Sequence, residues 1–297
     1  MNSHPLKPII TTHAIDTLGF DDCRFTTPFL SEHLNDYREW VTQKNYGDMG
    51  YLERHLPLKE NPNLLLDGVQ SAIVLIKNYK NTEKKHLDAP LKVARYAAGQ
   101  DYHMVITEKL NQLELFIKEQ NPSIQTYAGV DSRPLAERSL ALQAGIGFRG
   151  KNTMVIRPKL GSYFFIGVIL TTATFELDSP FKGSCGTCQR CIDACPTQAL
   201  SLEGAMTPTK CISYQTIEKK TPVSQEALST FQGWQFGCDI CQEVCPFNHG
   251  HTPLTNWAEF KPEAGIGFSL KNLITIPKES ALYRSRKRVL ESLHGVA

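Results

Sequence analysis

Eight of the nine cysteines in this 297-residue chain fall between positions 185 and 245. Their spacing constrains the fold more than any other feature. Cys185, Cys188, Cys191 and Cys195, followed by Pro196, form a C-x2-C-x2-C-x3-C-P run, a spacing that holds cubane iron–sulfur clusters. In such a run the first three thiolates curl on a loop around one cubane, while Cys195, expected at a helix start, reaches a second cluster. The second cluster needs its own loop, present in expanded form as Cys211, Cys238, Cys241 and Cys245-Pro246. Crossed ligation assigns Cys185, Cys188, Cys191 and Cys245 to one 4Fe-4S cluster, and Cys195, Cys211, Cys238 and Cys241 to the other. Zinc also favours C-x2-C pairs, but two zinc sites require neither a third cysteine at the same spacing nor two Cys-Pro endings. Two cubanes make a wire for single electrons and, fully Cys-ligated, do no substrate chemistry themselves. The rest of the chain should hold what receives the electrons.

At roughly 100–200 residues per domain the length points to two domains, or to one large one with an insertion. Hydrophobic residues make up 41%, and 32 Lys+Arg against 30 Asp+Glu leave a formal net charge of +2. These values exclude a disordered chain and a polyelectrolyte-type nucleic-acid binder, though not local clusters of basic residues. The N-terminus lacks the pattern of a secretory signal, and the longest apolar run, Tyr163 to Leu170, is far short of a membrane span. A cytoplasmic protein with no membrane partner is expected. Reduced thiols in that compartment argue against a disulfide framework, and isolated Cys23 reads as a small buried hydrophobe.

Along residues 1–175 helical and strand periods alternate, which predicts an α/β sandwich. Leu34, Tyr37 and Val41 share a helical stripe opened by Ser31 as N-cap, and Tyr102, Val105, Ile106, Leu110, Leu113 and Ile117 mark a longer helix. Apolar runs at Ala72–Ile76, Ile124–Val130, Met154–Ile156 and Tyr163–Leu170 read as buried strands. Gly145-Ile146-Gly147-Phe148-Arg149-Gly150 is formally G-x-G-x-x-G, but Pro134 to Ala144 reads as a helix ending in these glycines. A dinucleotide site requires the reverse order. Asp131 stands between a strand and a helix, where it can cap the helix, in competition with Ser132, or act as a reacting carboxyl; the residues alone leave both open. His249 and His251 read as an exposed loop. Residues 176–252 form the expected cluster domain, entered through a turn-rich segment and built from short helices. Residues 253–297 form a basic, helical tail in which Arg284, Arg286, Lys287 and Arg288 are nearly contiguous.

The chain resembles the epoxyqueuosine reductases, cobalamin-dependent iron–sulfur enzymes of tRNA modification. The resemblance lies in Gly50-Tyr51-Leu52-Glu53-Arg54, Gly99-Gln100-Asp101-Tyr102-His103, Val130 to Arg138, Gly150-Lys151-Asn152-Thr153, Gly161-Ser162, and the stretch from Cys185 to Asn248. It implies an α/β fold: an N-terminal cobalamin-binding domain, then a ferredoxin-like domain with two 4Fe-4S clusters. It also implies that cobalamin, reduced through the clusters by a low-potential electron donor, converts the epoxide of the modified wobble base to an alkene. Loss of water consumes two electrons and two protons, and Asp131 matches the family's proton donor. A carboxyl facing a buried corrin would have its pKa raised by desolvation. By the same correspondence Arg54, Ala94, Asp131, Asn152, Val155, Ile166, Ser213 and Asp239 line the cobalamin. The implied partner is a tRNA carrying epoxyqueuosine in its anticodon loop, bound by a monomer. Many members continue into paired-helix repeats, whose tRNA contacts would here be missing or replaced by the basic tail.

Two other classes compete with this reading. One is a cobalamin and iron–sulfur reductase of a small molecule, dehalogenase-like; the other is a non-catalytic ferredoxin-type electron-transfer module. A small substrate would not require a basic tail, and a mere ferredoxin would show no corrin absorption.

Overall fold

The computed structural model describes residues 5–30, 34–81 and 92–262. Ser31 and the four clustered basic residues of the tail lie outside them. The elements in order are α1 (Leu6–Thr12), continued by a π turn, β1 (Asp22–Thr26), α2 (Leu34–Thr42), α3 (Tyr51–Glu60), β2 (Ser71–Asn78), β3 (Lys92–Val93) and α4 (Tyr102–Gln120). Next come β4 (Thr126–Gly129), α5 (Glu137–Gln143), β5 (Phe148–Arg149), β6 (Val155–Ile156) and β7 (Phe164–Thr171). The cysteine segment holds α6 (Arg190–Asp193), α7 (Ile212–Ile217), α8 (Gln225–Thr230), β8 (Trp234–Phe236) and α9 (Ile240–Glu243). Its helices are short, as a chain wound around clusters requires. Among the described residues no helix is long and apolar enough to cross a membrane.

The main sheet has the order β1-β2-β7-β4, and every neighbouring pair is antiparallel. Both faces of β2 and β7 are covered, which is why these strands read as continuous apolar runs rather than alternating ones. Ile73, Leu75, Phe165 and Ile169 face Ile10 and Ala14 of the N-terminal helical segment and Ile106, Leu110, Leu113 and Ile117 of α4. Ala72, Val74, Val168 and Leu170 face Leu140 and Ala141 of α5, with Val155 of β6. Gly167 lets α4 close on the sheet, since a Cβ there would lie 3.0 Å from Leu110. The mixed α/β sandwich follows from this double covering.

The glycine-rich run ends α5. Gly145 adopts φ +77°, its N–H donates to Leu142 O, and Ile146 N–H donates to Ala141 O, the paired bonds of a Schellman cap. No strand precedes these glycines and no helix follows them, so they cradle no dinucleotide.

Several contacts fasten the cysteine segment to the sandwich. β3 pairs in parallel with β8. Ser162 N–H donates to Asn248 Oδ1 at 2.7 Å, and Asn248 Nδ2 donates to Ser162 Oγ and Gln242 O. Residues 252–260, read from sequence as the start of a tail, form a strap across the sheet end. Asn78 Nδ2 donates to Pro253 O, Lys80 Nζ to Thr252 Oγ1 and Lys77 Nζ to Asn256 Oδ1, while Trp257 and Phe260 join the core beneath α4.

Candidate active site and cluster-binding segments

Asp131 follows β4 in a tight turn closed by Ser132 N–H donating to Val130 O at 2.6 Å. Its φ of +48° lies in the left-handed region that aspartate tolerates better than most residues. It caps no helix, and neither does Ser132: α5 opens at Glu137, and its N-cap Ala136 offers no side-chain bond. The Asp131 carboxylate instead turns to the first turn of α4. Tyr102 Oη donates to Oδ2 at 2.6 Å, and His103 Nε2 lies 3.0 Å from the same oxygen. On its other side the imidazole meets Asp101, with Nδ1 2.7 Å from Oδ1. Asp101 caps α4 by accepting His103 N–H and is 2% exposed. Tyr102 stacks on both His103 and Phe165, so the sheet core fixes the orientation of the pair.

Opposing effects act on the Asp131 carboxyl. Burial pushes the Asp131 pKa up, but the hydrogen bonds of His103 and Tyr102 and the nearby charges of His103 and Arg138 outweigh it, leaving the carboxyl below its ordinary value. His103 moves the other way. Burial works against its charge, yet the bonds to Asp101 and Asp131 raise it from 6.5 to about 9. Glu137, on α5 beside this site, is pushed by burial to about 8, and its Oε1 finds no hydrogen-bond partner.

Four of the eight clustered cysteines share one cleft. Cys185, Cys188, Cys191 and Cys245 line it with Asn152, Ile156 and Phe247. The Cys191 thiol is raised by burial and then by the charges of Cys185, Cys245 and Cys188. In the other group, Cys238 is raised by burial and also feels Cys211 and Cys195, and Cys241 feels Cys238 and Cys211 as well as Cys191 of the first group. Among the described residues no three His, Cys, Asp or Glu side chains converge on a point as they would around a single ion. Cys195 sits just past the end of α6 rather than at a helix start, because Pro196 disfavours helix in the residue before it. Backbone N–H groups already point at sulfur: Lys151 N–H at Cys185 (3.4 Å) and Ala199 N–H at Cys195 (3.3 Å). Such bonds tune cluster potentials.

The segment Gly150–Thr153 works as a clamp on the cysteine loop. Lys151 Nζ donates to Gly186 O and Cys188 O, and Asn152 Nδ2 lies 3.4 Å from Cys241 O. Asn152 is 2% exposed, Ala94 1%, Val155 4% and Asp239 1%, so these four side chains join walls rather than offer surface. Asp239 accepts Arg95 N–H at 2.7 Å, and burial raises its pKa to about 7. Arg54 is exposed, and Ile166 and Ser213 are half-buried. Tyr96 links the two halves of the site, packed edge-on against Tyr102 and tilted against Phe236 of β8, and burial and the charges of Asp131 and Asp239 raise its pKa. Sequence reasoning put Tyr102 in a helical stripe and counted Asp101, Tyr102 and His103 among the residues of the resemblance, but gave none of them a part in the site. The signal was there in an N-cap aspartate followed two residues later by histidine.

Comparison with known proteins agrees with this layout. Residues 184–248 match a family described as a 4Fe-4S double cluster binding domain, and residues 59–132 match the family described as "Epoxyqueuosine reductase QueG, DUF1730". The epoxyqueuosine reductase of Cellulophaga algicola is 40% identical over 80% of this chain and 77% of its own. A crystal structure of epoxyqueuosine reductase with an epoxyqueuosine-modified tRNA-Tyr stem loop superposes with a TM-score of 0.81 at 30% identity, covering 97% of this chain and 80% of that one. The Bacillus subtilis enzyme, described with its catalytic aspartate loop swung out of the active site, gives 0.81 at 29% identity over the same shares. With a double-cluster module fastened to a matching sandwich, and identity of this order over most of both chains, the chain belongs to the epoxyqueuosine reductase family of oxidoreductases.

Proposed function

We propose that this chain reduces epoxyqueuosine to queuosine at the wobble position of tRNA in the cytoplasm, with Asp131 as proton donor, and that its electrons come from a low-potential donor through two 4Fe-4S clusters. The observation that carries this reading is the Asp131 carboxylate, offered on a left-handed turn and hydrogen-bonded by Tyr102 and His103. It stands on elements that reach the second cysteine group through Tyr96 and Asp239. A relative crystallised with the modified stem loop, and another described by a catalytic aspartate loop, support the same assignment.

In this reading the sandwich (residues 1–175) holds substrate and cobalamin, residues 176–252 hold the clusters, and residues 253–297 add basic charge. Cys185, Cys188, Cys191 and Cys245 ligate one cluster; Cys195, Cys211, Cys238 and Cys241 ligate the other. A cobalamin fits between the two parts on the donor chemistry present. Glu137 Oε1 and Thr153 Oγ1 are buried polar atoms without hydrogen-bond partners, of the kind that corrin amides satisfy. Arg54, Ile166 and Ser213 offer surface to it, while Ala94, Asn152, Val155 and Asp239 hold the walls. Bound there, cobalamin supplies a strongly reducing centre for opening a carbon–oxygen bond. The chain's own residues supply the rest: Tyr102 and His103 orient Asp131, and Asp131 hands a proton to the departing oxygen.

The test is anaerobic reduction of an epoxyqueuosine-containing anticodon stem loop, with and without cobalamin, by protein carrying about eight iron and eight sulfide per chain. Conversion that requires cobalamin supports the reading. No conversion by fully loaded protein, or two zincs in place of iron and sulfide, overturns it.

A further inference from the structure

His103 is held between two carboxylates, and this bears on how protons reach Asp131. Nδ1 lies 2.7 Å from Asp101 and Nε2 lies 3.0 Å from Asp131. An ionised carboxylate only accepts hydrogen bonds, and a neutral imidazole has a single N–H. One of the two contacts would then set lone pair against lone pair. Both are satisfied only when the trio carries one further proton, on the ring or on a carboxyl. The ring is held in this position because Asp101 also accepts His103 N–H and Tyr102 stacks against the imidazole with ring centroids 4.0 Å apart.

We propose that Asp101, His103 and Asp131 store one proton at the site, and that His103 returns a proton to Asp131 between the two protonations that reduction of the epoxide requires. The inference rests on the reading of Asp131 as proton donor. Epoxide plus two electrons and two protons gives alkene plus water. One proton goes to the ring oxygen as its first carbon–oxygen bond opens, and the second to the hydroxyl as it leaves as water. A carboxyl carries one proton, so Asp131 must be reloaded. In the reloading step the His103 Nε2–H bond breaks and an Asp131 Oδ2–H bond forms. His103 regains its proton from solvent through the open groove it lines with Met104, Thr107 and Glu108. The two electrons are those of the reduction itself, and the relay moves none.

The two carboxylates in contact with the ring favour a stored cation, against the charges of Arg138 and Lys59 nearby. From α4 come Tyr102 and the capping Asp101; from α5 come Arg138, which steadies Asp131, and Glu137; from α3 come Lys59 and Tyr51; and Tyr96 packs edge-on against Tyr102. Two carboxylates contact the ring directly and no cation does, in line with a His103 pKa of about 9. His103 is a positioning and proton-holding residue. It acts on substrate only through Asp131.

The experiment compares loaded wild type, His103→Gln, Asp101→Asn and Asp131→Asn by pH–rate profile on the modified stem loop. It adds the histidine ring NMR titration of full-length, cluster-loaded protein, with His103→Gln identifying the resonance. Wild-type turnover should fall as pH rises through about 9. In His103→Gln, which keeps an N–H for Asp131 but no titrating proton, the fall should move to below neutrality. Turnover at pH 8 would then drop by about 10²-fold or more and recover toward pH 5.5. The wild-type ring should titrate near 9 and move back toward 6.5 in Asp101→Asn. A ring that titrates near 6.5 in wild type, or a His103→Gln profile with an unmoved descending limb and a uniform loss, would overturn the relay. Normal turnover in Asp131→Asn would instead sink the proton-donor reading itself. An inactive Asp131→Asn with an unmoved His103→Gln limb removes the relay alone.

Discussion

Asp131 occupies a backbone conformation that costs about 1–3 kcal/mol for a residue with a side chain, and the bonds of its carboxylate to Tyr102 and His103 offset that cost. Asp131→Asn preserves size and leaves an oxygen for both donors but removes the acid. Iron content, cobalamin binding and stem-loop affinity should stay at wild-type level while turnover falls by about 10²–10⁴-fold. Normal turnover would contradict this. The trio also predicts a pH signature in stability. His103 is raised in the folded state from 6.5 to about 9, so its contribution is complete below about 6.5 and is lost as pH rises through about 9. Asp131 is lowered, so its share is complete above the ordinary carboxylate range and is lost as pH falls below it. The difference in apparent melting temperature between wild type and His103→Gln should therefore be largest near pH 5–6 and shrink toward pH 10; a difference that grows with pH would contradict the assignment. How far this was legible in sequence depends on how local each signal is. Four thiols at fixed spacing announce a cluster, whereas Asp131 meets His103 across 28 positions, and nothing at either position indicates the other.

The loops between β5 and β7 dock the cluster segment, and this accounts for the otherwise unmotivated Gly150-Lys151-Asn152-Thr153 and Gly161-Ser162. Gly161 has φ +84°, and a Cβ there would collide with Asn248 Oδ1. The close approach and the turn both require glycine. Asn248 is 4% exposed and makes two bonds to Ser162 that hold the two parts together, with a third to Gln242 O that fixes its own side chain. Asn248→Ala strands the buried Ser162 N–H, while Ser162 Oγ keeps its bond to Gln242 Oε1 and Gln242 O keeps that from Cys245 N–H, and it should destabilise that junction by about 1–3 kcal/mol. Limited proteolysis should show the cysteine segment cleaved before the sandwich, and cleavage at the wild-type rate would contradict the junction's importance. The same elements show what patterning reveals. β2, β7 and α4 were readable because long apolar runs and 3.6-residue stripes mark elements buried on one or two faces. β1 was not, because Asp22 and Arg24 break its apolar character; they belong to an ion network with Arg157 at the sheet edge. The strap at 252–260 escaped because its bonds run to Asn78, Lys80 and Lys77, about 170 positions away.

Across the whole molecule the charge is close to balanced, so attraction for a polyanionic tRNA must come from local clusters rather than from the net +2. Two clusters are available. Arg284, Arg286, Lys287 and Arg288 lie beyond the described residues, in a stretch from 271 to 297 with six Lys and Arg against two Glu. Lys219 and Lys220 follow α7, where the Lys220 N–H is fastened to Asp48, between the second cysteine group and the α2–α3 region. Phosphate contacts fix position and carry no information about the modified base, so they add binding that is equal in the ground and transition states. Neutralising the four tail residues should weaken stem-loop binding at low salt and reduce the slope of log K against log salt by about 0.7–0.9 for every phosphate they had neutralised. Turnover at saturating substrate should be unchanged. If the slope holds in the tail variant and falls in Lys219→Ala/Lys220→Ala, the docking face lies beside α7. The tRNA would then approach along the side that carries the second cysteine group, with the tail touching no phosphate.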